Sequence, residues 1–85
     1  MPEGKRFKVE RRLYEVLIEE GMVESSTDKC FYVADSLDGL ELVMELGEEF
    51  DVDVSGEDLK GLIDGGVIHV SSIVDYLVKS GVVVE

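Results

Sequence analysis

The hydrophobic pattern of the chain predicts three longer helices. Apolar residues recur in three segments at the three- and four-residue spacing of a single helix face. The first segment runs from Phe7 to Glu20 and is followed by Gly21, a typical helix stop, while the second runs from Ser36 to about Phe50. The third is predicted to start at Ser72 and to end at Gly81. Core-facing positions are expected at Val9, Leu13, Val16 and Leu17 in the first helix and at Ile73, Val74 and Leu77 in the last.

The segments between these helices lack a sustained period. Residues 22–34 are expected to form a loop in which Phe31, Tyr32 and Val33 tuck against the core. Ser55 followed by Asp58 has the spacing of a helix capping box, which predicts a short helix that ends near Ile63, before the Gly-Gly pair at 65–66. The pattern therefore predicts an all-α bundle of three longer helices and one short helix.

Chain length limits the protein to a single domain. We expect residues 1–85 to form one unit, with residues 1–6 and 82–85 as loose ends. A chain this short buries little more than half of its extended surface, so its core is thin. Size alone therefore favours a binding or carrier role over an enzyme.

Charge narrows the classes of partner. The net charge is -12, although residues 1–12 carry five basic and two acidic side chains. A surface this acidic repels nucleic acid and anionic lipid, and it is attracted to basic patches on other proteins. We therefore expect protein partners, with no nucleic acid and no membrane.

Cysteine content and terminal composition indicate a cytoplasmic protein. The single cysteine, Cys30, excludes an internal disulfide and fits a reducing compartment. The basic residues near the start are not followed by an apolar stretch, so no signal peptide is expected, and no apolar run has the length of a membrane span.

Residues for catalysis and for tight metal binding are scarce. His69 is the only histidine, so neither a Ser-His-Asp nor a Cys-His constellation with Cys30 is expected, and we predict no enzymatic activity. Asp51 and Asp53 begin a stretch with the spacing of a calcium loop, but its twelfth position is Leu62, which cannot ligate. At most a weak divalent contact at Asp51 and Asp53 is expected.

The second predicted helix carries an unusual row of carboxylates. With about 100° per residue, its acidic positions share an arc only ~100° wide. No Lys or Arg interrupts this row, although like charges on one helix face repel one another. A solvated face and a surface for basic partners are both consistent with it. The residues are Asp38, Glu41, Glu45, Glu48 and Glu49.

Two blocks of sequence resemble the acyl carrier protein family. Residues 35–51 read D-S-L-D-G-L-E-L-V-M-E-L-G-E-E-F-D, like the helix that bears the family's prosthetic group. Val70 and residues 73–77 fit V-x-x-I-V-D-Y-L, like the family's final helix. The resemblance is good from Asp35 to about Val78 and implies an acyl-carrier-like four-helix bundle.

The resemblance implies a role for Ser36 as an attachment site. It would accept 4′-phosphopantetheine from coenzyme A and carry acyl groups as thioesters, with Asp35 and Leu37 beside it. Phosphopantetheinyl transferase and acyl-transfer, condensing and reducing enzymes with basic patches are the implied partners. They would bind the carboxylates named above together with Met44. A monomer is expected.

Two alternatives stay open. The carrier could serve fatty-acid biosynthesis or a specialised, polyketide-like pathway, because the segment before Asp35 departs from the usual fatty-acid carriers. The chain could instead be a small acidic helical module that binds proteins or divalent cations and is never modified.

Overall fold

The fold consists of four helices and one small sheet. In the computed structural model, residues 3–33 and 36–82 are described. The elements follow one another as α1 (Glu3–Glu19), β1 (Cys30–Tyr32), α2 (Ser36–Phe50), α3 (Gly56–Leu62), β2 (Ile63–Asp64), β3 (Val67–His69) and α4 (Val70–Lys79). Three longer helices and one short one are confirmed, whereas the all-α class is corrected by the sheet.

The sheet is antiparallel, in the order β1-β3-β2. β2 and β3 form a hairpin around Gly65 and Gly66, whose φ angles of 61° and 85° suit the mirror-image turns that favour glycine. β1 pairs with the other edge of β3, where Phe31 lies opposite Ile68 and both are buried. Residues 30–32, expected in a loop, are therefore a strand, and Tyr32 points outward with 83% of its surface exposed.

Two helices end in the same glycine motif. Gly21 and Gly81 both have a φ of 77°, and each amide bonds to the carbonyl three residues back. The next amides, those of Met22 and Val82, bond to carbonyls five residues back, which completes Schellman caps on α1 and α4. The predicted stops at both glycines are confirmed.

The core lies where α1 crosses α2 and α4. α1 packs on both of these helices. Every residue predicted to face the core from the first and last helices is buried, and α2, α3 and the sheet add further apolar side chains. Those contributed by these elements include Leu42, Leu46, Phe50, Leu59 and Ile68.

Several predicted boundaries move. α1 begins at Glu3, so residues 3–6 are helical, and Arg6 pairs with Asp75 of α4. Val82, expected in a loose end, is buried. α4 begins at Val70 because β3 runs directly into it and the Val70 amide bonds to the Lys29 carbonyl.

The short helix α3 begins as the capping pattern predicts. The Ser55 hydroxyl accepts a hydrogen bond from the Asp58 amide at 3.1 Å. Asp58 also accepts a hydrogen bond from the Tyr76 hydroxyl at 2.8 Å, which ties α3 to α4. No helix within residues 3–33 and 36–82 is both long and apolar enough to span a membrane.

Candidate functional site

Ser36 is the first residue of α2. At this position the amide groups of the first helical turn lack intrahelical acceptors, and the helix dipole favours an anion. Asp35, expected beside Ser36, lies outside the described residues. Asp38 is the acidic residue of the first turn and is half-buried.

The sheet fixes the chain shortly before Ser36. β1 ends at Tyr32, and the Val33 amide donates a hydrogen bond to the Gly66 carbonyl at 2.9 Å. Only residues 34 and 35 separate this anchor from α2. The start of α2 is thus positioned by long-range backbone pairing, which the periodicity of the sequence did not indicate.

The apolar side of α2 divides into a buried part and an exposed part. Leu42, Leu46 and Phe50 are buried in the core. Leu37, Leu40 and Met44 are 63%, 56% and 63% exposed, and their spacing places them on one face of the helix. These three side chains form what we call the apolar strip. Leu37 and Met44 were expected at this surface, whereas Leu40 was missed.

The carboxylate strip, defined as Asp38, Glu41, Glu45, Glu48 and Glu49, borders the apolar strip on α2. Glu41 and Glu48 are exposed and Glu45 is half-buried. Glu49 approaches Arg12 of α1, with an N–O distance of 3.9 Å, so this carboxylate also has a contact within the fold.

The acidic surface extends beyond α2. The carboxylate of Glu20, just after α1, raises the pKa of Glu45 above its ordinary value. Burial adds to the rise, as do the carboxylates of Glu48, Glu19 and Glu49. Glu19 and Glu20 were missed because nothing local in the sequence indicates that the end of α1 lies beside α2.

A shallow hollow lies between β1, the end of α1 and the first turns of α2. It has a volume of about 190 Å³. Tyr32 and Met22 line it together with acidic residues of α2, and its floor includes Phe31. The acidic lining residues are Glu20, Asp38 and Glu41. The exposed ring of Tyr32 therefore adjoins the carboxylate strip near Ser36.

The structure brings together the cysteine and the histidine that the sequence left apart. Cys30 on β1 lies directly opposite His69 on β3, and both are exposed. The register makes these two residues neighbours in the sheet, which the sequence did not predict. The pairing required β1, which was not predicted.

The two aspartates considered for divalent contact lie between α2 and α3. Asp51 and Asp53 are exposed, and Asp51 has a φ of 52°, a left-handed conformation that aspartate tolerates where a helix ends. Within residues 3–33 and 36–82, no three His, Cys, Asp or Glu side chains converge in a group that could hold a metal ion.

Comparison with known proteins identifies similar chains. The chain is 30% identical over 77 residues to an acyl carrier protein of Syntrophus aciditrophicus (strain SB), and the match covers 81% of this chain and 88% of that protein. It is 46% identical over 46 residues to an acyl carrier protein of Chlorobium phaeobacteroides (strain DSM 266 / SMG 266 / 2430). That second match covers 54% of this chain and 53% of the relative, about half of its length.

Two further searches gave no match. No family model matches the chain. No solved structure matches it either.

Proposed function

Since the chain belongs to the acyl carrier protein family, we propose that it carries acyl groups on a 4′-phosphopantetheine arm attached to Ser36. The observation that carries this proposal is the position of Ser36 as the first residue of α2, where the apolar and carboxylate strips begin. An attachment site needs no base of its own, because the modifying enzyme supplies the chemistry.

The surroundings of Ser36 fit a group joined through a phosphodiester. The amides of the first turn of α2 and the positive end of its dipole favour an anion there. Leu37 is 63% exposed, so this side of the helix start is open to solvent and leaves room for a long substituent. When bound, phosphopantetheine supplies the terminal thiol on which acyl groups are carried.

The residues along α2 serve to bind partner enzymes. Glu41 and Glu48 are exposed and attract basic surfaces, which raises the rate of encounter. Leu37, Leu40 and Met44 provide the apolar contact area that electrostatic attraction alone lacks. Phosphopantetheinyl transferase and the acyl-transfer, condensing and reducing enzymes of a biosynthetic pathway are the partners that we propose. That pathway is fatty-acid synthesis or a specialised one.

Incubation with a phosphopantetheinyl transferase and coenzyme A, followed by intact-mass measurement, tests the attachment. The chain should gain the mass of one phosphopantetheine group, and Ser36→Ala should gain none. Ser71→Ala is the matched control, because Ser71 is an exposed serine in the first turn of α4. It should be modified like the unaltered chain.

Two results would contradict the proposal. If the unaltered chain gains no mass, the alternative of an unmodified acidic module is favoured. If Ser36→Ala still gains mass, the attachment is elsewhere. Circular dichroism of each variant verifies that the helices are retained.

A further inference from the structure

One helix face remains that the core does not use and that meets the acidic surface beside α2 only at Glu19. The α1 outward face consists of Phe7, Lys8, Arg11, Glu15, Ile18 and Glu19, all of them exposed. Phe7 and Ile18 are large apolar residues with 56% and 43% of their surface in solvent. A groove of about 680 Å³ runs along this face and is lined by Phe7, Arg11, Tyr14 and Ile18, among others.

The charges of α1 run in the direction that a helix disfavours. Residues 3–12 contain five basic and two acidic side chains, and residues 13–20 contain three acidic side chains and no basic one. The helix dipole favours anions at the start and cations at the end, so this order opposes helix stability. The charge pattern therefore requires an explanation outside the isolated helix.

Contacts within the molecule explain only part of this pattern. Arg6 pairs with Asp75, and Arg12 approaches Glu49. Among the residues that the structure describes, Lys8 and Arg11 form no salt bridge. These two cations lie on the α1 outward face beside Phe7.

We propose that the α1 outward face binds the same face of a second copy of this chain, with the two α1 helices antiparallel across a twofold axis. In that arrangement Arg11 lies near Glu15 of the second copy and Lys8 near its Glu19. Phe7 then meets Ile18 of the second copy. Each contact occurs twice, as in the twofold dimers that are the commonest protein oligomers.

Charge complementarity selects a second copy over other occupants. A uniformly anionic occupant, such as a lipid surface or an acidic peptide, is attracted by Lys8 and Arg11 but repelled by Glu15 and Glu19. A uniformly basic occupant is attracted by the two glutamates and repelled by the two cations. An antiparallel α1 presents the opposite order of charges and also two apolar side chains at the matching positions.

The dimer is weak and leaves the carrier site accessible. Each copy carries a net charge of -12, so long-range repulsion opposes association. The α1 outward face contains no residue of α2, so Ser36 and the apolar strip are not part of the interface, which adjoins the carboxylate strip only through Glu19. A small interface of this kind is typical of a transient complex.

Concentration-dependent measurements on the unaltered chain test the dimer first. From about 10 µM to about 1 mM, the range of a weak interface, sedimentation velocity should show a rise from the monomer mass towards twice that mass. Amide NMR shifts over the same series should change along residues 7–19 and not in α3.

Charge reversal then tests the antiparallel register. Lys8→Glu/Arg11→Glu should raise the dimer dissociation constant at least about tenfold, as should Glu15→Lys/Glu19→Lys. The variant that combines all four substitutions should dimerise again, because its two halves are complementary once more. Circular dichroism verifies that each variant is folded.

Matched controls separate the contact from net charge. Lys60→Glu/Lys79→Glu and Glu57→Lys/Asp64→Lys change the net charge by the same amounts at exposed positions outside α1, and they should alter the dissociation constant less than the α1 variants do. A chain that is monomeric throughout overturns the proposal. So does a dimer that the α1 variants leave intact, or a four-substitution variant that stays monomeric.

Binding of an anionic vesicle or an acidic peptide by a monomeric chain would assign the face to that occupant and would likewise overturn the dimer. All of these measurements use chain that has not been modified at Ser36. Their outcome is therefore independent of the proposed carrier function.

Discussion

The helices α4 and α2 use their solvent-facing side chains in opposite ways. In α4, Asp75 pairs with Arg6, and the Tyr76 hydroxyl donates to Asp58. In α2, Leu37 and Met44 are about two-thirds exposed. Both helices bury a continuous apolar face, so they contribute to the core in the same manner.

This difference between α4 and α2 shows which exposed surface contributes little to the stability of the fold. The outer side chains of α4 hold other helices in place. On α2, Glu49 approaches Arg12, but Leu37 and Met44 expose apolar area, and the repulsion from Glu20 raises the pKa of Glu45. Surface features that oppose stability are expected where a partner is bound, and in this chain they lie along α2, which begins at Ser36, as well as on the α1 outward face.

The largest expected effect is the difference in unfolding free energy between two truncations, one of a buried residue on α4 and one of an exposed residue on α2. Leu77→Ala, on the buried face of α4, should lower the free energy of unfolding by about 2–5 kcal/mol. Met44→Ala, in the apolar strip of α2, should change it by less than about 0.5 kcal/mol. Urea unfolding measures both. Equal losses of unfolding free energy would mean that Met44 packs within the molecule, which would contradict the contrast drawn between α2 and α4.

Reversing charge on α2 should slow modification by a partner enzyme. Glu41→Lys/Glu48→Lys should lower kcat/KM for modification by a phosphopantetheinyl transferase by about tenfold, because electrostatic steering is lost. Glu57→Lys/Asp64→Lys, with the same change in net charge on α3 and β2, is the control. If the control slows modification equally, total charge is responsible and the carboxylate strip is not.

Removing one hydroxyl from α4 should have a smaller effect. Tyr76→Phe deletes the hydrogen bond to Asp58 and should cost about 0.5–1.5 kcal/mol of unfolding free energy. Tyr32→Phe provides the comparison, since that ring is 83% exposed and should tolerate the change. An unaffected Tyr76→Phe variant would show that this contact contributes nothing to the packing of α3 on α4.

The smallest effect concerns the pH dependence of stability. The folded state raises the pKa of Glu45 above its ordinary value of 4.5, so it binds this proton more tightly than the unfolded state does. This group's contribution to stability should therefore fall as the pH rises from about 4.5 through the raised pKa. Glu45→Gln should remove that decline, and it should be more stable than the parent at neutral pH.

Urea unfolding at each pH measures this difference, with Glu57→Gln as the control for the loss of one negative charge. A decline that persists unchanged in Glu45→Gln would contradict the assignment to Glu45.

Periodicity and capping were sufficient to predict the helices. The core positions Leu13, Leu17 and Leu77 follow from spacing alone, and the helix boundaries at Ser55, Gly21 and Gly81 follow from local backbone chemistry. The strands were not predictable in this way, because two or three residues are too few to display an alternating pattern.

The surface of α2 was only partly predictable for a related reason. The carboxylate strip lies on one helix and follows from its sequence. The exposure of Leu40, the approach of Glu19 and Glu20 to Glu45, and the contact of Arg12 with Glu49 all depend on how helices cross. Such contacts are set by tertiary packing, which single-chain patterns do not encode.

The small sheet also joins the starts of two helices into one mechanical unit. β1 leads into α2, and β3 leads without a break into α4. The amides of Val33 and Val70 are held by carbonyls at the two ends of this ladder, those of Gly66 and Lys29. Hydrogen exchange at these two amides should therefore proceed through a shared opening event. A partner that pulls on the beginning of α2 would loosen the beginning of α4 as well.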